Sequence, residues 1–245
     1  MGPHLNMTDT AIIVGAGPGL GSALAQRFSH AEMNVVMAAR SIGKIETLAC
    51  ELSGIVHRTM AVACDATSEA DVKRLFERVQ AEFGTPRLVV YNAGAFVRKS
   101  LLDTSVEEFE RCWRVACLGG FLVGREAARA MLAHNAGHKG TIIFTGATAS
   151  LRGGALFQNL AVGKFGLRAL AQSMARELQP QGIHVAHVVI DGQIEGERPG
   201  YGAAERGKDA VLDPAAIAET YYQLHLQPLS AWSHEIDLRP YVEKF

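Results

Sequence analysis

The chain has 245 residues, 48% of them hydrophobic, with 24 basic side chains against 25 acidic ones. That length suits one large α/β domain with a substantial core, and the balanced charge offers no basic excess for a nucleic-acid backbone. No apolar run approaches the roughly 20 residues that span a bilayer, and no secretory leader opens the chain, so a cytoplasmic protein with no nucleic-acid or membrane partner is expected.

Residues 1–7, MGPHLNM, are polar and patternless and read as disordered or vector-derived. Short β-branched runs then alternate with amphipathic segments. TAIIVG is followed by SALAQRFSH, NVVMAA by IETLACEL, and HRTMAVAC by EADVKRLFERVQAEF. RLVVYN precedes a long helical tract from Val106 to His134, GTIIFTG precedes a tract from Ala155 to Gln179, and IHVAHVVI closes the series. Uninterrupted apolar strands joined by helix-length connections predict a Rossmann-type doubly wound parallel sheet, a three-layer αβα single domain. After Ile190 the segment DGQIEGERPGYGAAERGKDAVLDP is Gly-rich and aperiodic, and residues 195–212 read as a loop that shapes a substrate. A short helix follows, near Pro214 to Leu224. Cys50, Cys64, Cys112 and Cys117 form no C-x-x-C pair and read as small buried hydrophobes in a reducing compartment.

GAGPGLG, Gly15 to Gly21, lies between the first strand and the first helix. Its glycines permit a tight turn and close approach to a pyrophosphate on the helix N-terminus, although a Gly-rich turn without a ligand fits the same letters. Arg40 ends the second strand, where an acid would bond a ribose hydroxyl and an arginine suits a 2′-phosphate; a solvated surface arginine is the alternative.

Taken together, VGAGPGLG, the Asp65 of CDAT and YNAG resemble the short-chain dehydrogenase/reductase family over Thr8 to Ile190, with Val14 for the usual Thr and Tyr91 for the first Asn of N-N-A-G. The resemblance implies an NADP(H)-binding oxidoreductase. The cofactor contacts would be Gly15, Gly17, Gly19, Leu20, Gly21, Arg40, Asp65, Asn92, Ala93, Gly94, Lys164 and the backbone of Ile194. Asp65 could equally cap a turn, and Asn92 could serve a strand-end hydrogen bond.

The family's catalytic Ser, Tyr, Lys and Asn fall on Ala147, Leu160, Lys164 and Ala116, so Lys164 alone is retained as a catalytic residue. Lys164 shares a helical face with Leu160, Leu167, Ala171 and Met174. It reads as a cofactor clamp or as a lysine that snorkels to water. Candidates for a replacement acid are Tyr201, Glu195, Asp191 and Tyr91. Asp191-Gly192 replaces the family's Pro-Gly, Asp191 being a polar site group or a turn residue, and Gly196 stands at a usual Thr. A catalytically silent NADP(H)-binding regulatory protein is the other reading. No metal site is expected, because His134 and His138 flank a helix end. The resemblance also implies a homodimer or homotetramer through Val115–Met131 and Phe157–Leu178. Trp232 and Phe245 are candidates for a subunit contact or for core packing.

Overall fold

The computed structural model describes residues 9–53, 58–134, 137–196, 204 and 207–243. The opening 1–7 segment, Tyr201 and Phe245 lie outside them. Seven parallel strands form one sheet in the order β3-β2-β1-β4-β5-β6-β7. They are β1 Thr10–Val14, β2 Asn34–Ala39, β3 Thr59–Ala63, β4 Leu88–Tyr91, β5 Gly140–Thr145, β6 Ile183–Ile190 and β7 Glu235–Leu238.

Every residue of β1, β4, β5 and β6 is buried, because helices cover both faces. On one face Ile12, Val36, Tyr91 and Phe144 pack with α3 (Glu69–Phe83), α5 (Gly119–Leu132) and α6 (Gln158–Leu178). On the other, Ile13, Met37, Val90 and Val188 pack with α1 (Leu20–His30), α2 (Gly43–Ser53) and α7 (Pro214–His225). Ser68 caps α3 by accepting from Asp71 N, and Ser105 forms a capping box with Glu108 at α4 (Val106–Trp113). Asp213 caps α7 through Ala215 N, with Pro214 at the first helical position.

Two elements depart from expectation. The long tract from Val106 is interrupted by a π-turn at Arg114–Leu118 before it continues as α5. Within that turn the carbonyl of Val115 accepts the Tyr91 hydroxyl. Gly119 is required there, since a Cβ would overlap that hydroxyl and stand 3.1 Å from Ala66 O. The second departure is β7, which extends the sheet beside β6 with His187 opposite Glu235. Among the described residues, no helix is long and apolar enough to cross a membrane. Trp232 stacks on His184, ring centroids 4.9 Å apart, and so serves intrachain packing. His138 packs against His225 and Trp232 and shares Thr141 Oγ1 with His225. Cys64 and Cys112 are buried as expected, whereas Cys50 is exposed because it faces outward from α2.

Candidate functional site

The strand order reverses between β1 and β4, and the crevice outside their carboxyl ends is where such sheets admit a ligand. A cleft of about 510 Å³ opens there, lined by Gly15, Gly17, Arg40, Asp65, Asn92, Ala93, Gly94 and neighbouring backbone. Gly15 has a φ of +90°, and a Cβ on it would stand 2.6 Å from Ala93 Cα and 2.8 Å from Asn92 C. Only glycine lets the two strand-end loops meet. Asn92 Nδ2 secures that contact by donating to Gly15 O at 3.1 Å.

Gly17 and Gly94, in contrast, would aim a Cβ into open space, so this part of the cleft floor is bare backbone. Gly19 caps α1 with no side-chain hydrogen bond, which leaves the first N–H groups of the helix available to an anion. Leu20 and Gly21 are buried behind them; a Cβ on Gly21 would stand 3.0 Å from Ala16 Cα, so this glycine serves helix packing. Arg40 is exposed at the rim and, among the described residues, makes no ion pair. Asp65 accepts from Thr67 N at 2.9 Å and Thr67 Oγ1 at 2.8 Å, so it closes a turn while also lining the cleft.

The second half of the site is built by the ends of β5 and β6 and the start of α6. Lys164 is 5% exposed and donates to Thr145 O at 2.6 Å, so it turns inward rather than snorkelling to water. Burial pushes its pKa down to about 8. One turn earlier on the helix stands the partly exposed Leu160, and Ala147, also partly exposed, follows β5. Ala116 is fully buried in the π-turn, against Gly163 of α6. The structure thus brings the four family positions to the same end of the sheet, but only Lys164 carries a proton-exchanging side chain.

The proposed replacement acids fare differently. Tyr91 is fully buried, donates to Val115 O, and has its pKa raised by burial and by nearby Asp65, so it is a structural phenol and not an acid for this site. Asp191 is 5% exposed; it accepts from Thr148 Oγ1 at 2.6 Å and faces Arg239 at 3.4 Å. It is therefore a tied-down anchor at the foot of the loop. Ile194 forms a bridge with Leu212, and its carbonyl accepts from Gln193 Nε2. Glu195 is exposed, with its backbone N–H donating to Leu212 O.

Sequence inspection misses several neighbours of this site. Arg239 and Tyr241, far along the chain, hold Asp191 just before the loop and Asp209 near its end. Beneath the site, Glu235 forms paired bonds to Arg168 at 2.6 and 2.7 Å and accepts from His187 Nδ1 at 2.9 Å. Such partners are set by tertiary contact, with no local spacing to betray them.

Comparison with known proteins is consistent with this geometry. A family model described as short chain dehydrogenase matches residues 9–195. A short-chain dehydrogenase/reductase of Armillaria gallica is 32% identical over 178 residues, covering 71% of this chain and 67% of that protein. The crystal structure of a short-chain dehydrogenase from Rhodopseudomonas palustris superposes with a TM-score of 0.82 at 40% identity, over 96% of this chain and 99% of that one. An alcohol dehydrogenase from Thermococcus sibiricus shares the fold, with a TM-score of 0.86 at 24% identity over 96% of this chain and 98% of its own.

Proposed function

The chain belongs to the short-chain dehydrogenase/reductase family, and from that premise we propose that it binds NADP(H) in the β1/β4 crevice and acts as an oxidoreductase with an atypical acid site. The cleft carries this reading: a bare backbone floor beside an uncapped helix N-terminus suits a pyrophosphate, and Arg40 at the rim suits a 2′-phosphate. The Thermococcus sibiricus relative was solved as a complex with 5-hydroxy-NADP.

When bound, NADPH would supply a hydride equivalent. The chain's own residues would do the rest. Gly17 and the Gly19 cap offer backbone N–H groups. Gly15, whose own N–H donates to Ala38 O, makes the turn that lets the loops meet, Asp65 meets the adenine, and Asn92 keeps the two loops together. Lys164 spends one of its three N–H donors on Thr145 O and keeps two for ribose hydroxyls. The acid is the missing part. Leu160 and Ala147 carry no proton, so a substrate whose product anion needs little protonation at oxygen, such as an activated alkene, suits the site better than a plain ketone. Of the loop residues that are described, exposed Glu195 is the remaining acid candidate.

Titration with NADPH and NADH, followed by nucleotide fluorescence, tests the reading. Arg40→Ala is expected to weaken NADPH roughly 10- to 150-fold, the loss of one charge-assisted hydrogen bond, and to leave NADH unchanged. Equal losses for both nucleotides would assign Arg40 to the surface. Ala147, Leu160 and Ala116, at the family's Ser, Tyr and Asn positions, also favour a second reading, a silent NADP(H)-binding regulatory protein. Stopped-flow mixing of the NADPH complex with carbonyl and enoyl compounds separates the two, because any cofactor oxidation excludes the silent protein.

We also read the chain as a homodimer or homotetramer. Phe121, Leu132, Val162 and Phe165 on α5 and α6 are each 38–44% exposed, and a groove between these helices is walled by Phe121, Leu170 and Met174. A monomer in sedimentation velocity would remove this reading.

A further inference from the structure

Resting on the oxidoreductase reading, we infer that this site takes a carbonyl or enoyl compound with an apolar body, and that Leu156, Phe96 and Phe157 grip that body. The wall concerned joins the cofactor cleft to the reacting centre. It begins at Gly94 in the cleft and runs through Phe96 and Val97 to the first turn of α6. Asn159 Nδ2 donates to Val97 O and Gln158 Nε2 to Lys99 O, each at 3.0 Å, which ties this loop to the helix that carries Leu160 and Lys164.

Three observations make the wall apolar by construction. Phe96 and Phe157 stack with ring centroids 4.8 Å apart and 22° between planes, yet Phe96 remains 41% exposed. Leu156 has a φ of +67°, a left-handed conformation that a leucine adopts only at a cost, and its side chain is 38% exposed. Burial within the chain does not repay that strain, and a strained residue at the turn into the helix that carries Leu160 and Lys164 is where a ligand contact is expected. Glu32, the other described non-glycine residue of this kind, sits in the turn after α1, where left-handed residues commonly close helices. Finally, the amide N–H groups of Gln158 and Asn159 and the hydroxyl of Thr148 are engaged with the protein itself. Gln158 and Asn159 bind the 94–100 loop, and Thr148 binds Asp191. Leu160 and Ala147 extend this apolar surface, and the cation over it, exposed Arg98, lies across the Phe157 ring, 5.8 Å from its centroid.

Saturation-transfer NMR on the full chain, with and without NADPH, tests the inference using benzylacetone as the apolar ketone and dihydroxyacetone as the polar one. Benzylacetone is expected to bind and dihydroxyacetone not to. Leu156→Gly and Phe96→Ala are each expected to weaken benzylacetone about tenfold. Leu156→Gly is the decisive variant, because glycine relieves the φ and thermal unfolding should occur at the same or a higher temperature. Dihydroxyacetone binding as tightly as benzylacetone, or unchanged benzylacetone affinity in both variants, would overturn the assignment. Benzylacetone binding without NADPH supports the apolar wall even where nucleotide titration rejects the cofactor, so the two ideas fail separately.

Discussion

The variant Ala116→Asn, Ala147→Ser, Leu160→Tyr is expected to reduce simple ketones with NADPH about 10²–10⁴-fold faster than the parent chain, the usual contribution of a positioned general acid. The scaffold already holds most of what such an acid needs. Leu160 precedes Lys164 by one helical turn and is partly exposed, so a phenol there would face the cleft with a buried ammonium beside it. A neighbouring cation favours the phenolate and brings the phenol toward the working pH. Ala147 is partly exposed at the end of β5, where a hydroxyl would meet the same substrate oxygen. Position 116 is tighter, since a Cβ on Gly163 would stand 2.7 Å from Ala116 Cβ. The double variant without Ala116→Asn therefore serves as a companion, free of any packing fault in the π-turn. Steady-state rates with NADPH and a ketone series provide the measurement. Parent-level turnover in both variants, with nucleotide binding intact, would mean that the departure from the family extends beyond the acid.

The second large effect is on stability in mild acid. His187 is fully buried and His225 is 3% exposed; burial, the largest cause in each, holds the first at a pKa of about 4 and the second at about 3. His138, also desolvated and near Arg87, is pushed down to about 4. In the unfolded chain all three titrate near 6.5. Below that pH the unfolded state binds more protons than the folded one, so stability is fully present above about pH 6.5 and is lost as pH falls toward 4 and below. At pH 5 the linkage amounts to about 2 kcal/mol per histidine, and three of them rival the whole stability of many domains. Urea midpoints measured from pH 7.5 to 5 should fall steeply. A flat profile over that range would show that these imidazoles are protonated in the folded protein.

The alternation of strands and helices was legible because strands covered on both faces must be apolar throughout, as in IHVAHVVI. The glycine loop and Lys164 were legible because glycine conformation and a lone charge in an apolar stripe leave marks in the letters. By contrast β7, EIDL, is short and half charged; its Glu235 is explained only by Arg168 and His187, which lie 67 and 48 residues away. The π-turn adds one residue to a helical turn without disturbing composition. Tyr91 looked like a spare acid because the sequence does not disclose that Val115 and the sheet enclose its hydroxyl. Leu156 is the reverse case, since nothing in GGALF announces that the leucine rather than a glycine takes the left-handed conformation.

Asp191, just before the 195–212 loop, and Asp209, near its end, are held by Arg239 and Tyr241, which come several dozen residues later in the chain. During synthesis at roughly 5–20 residues per second, the nucleotide cleft is complete in sequence well before these anchors leave the ribosome. For some seconds the nascent chain carries the residues of the crevice but no tether on the loop beside it, so the loop is the last part of this end of the sheet to be fastened.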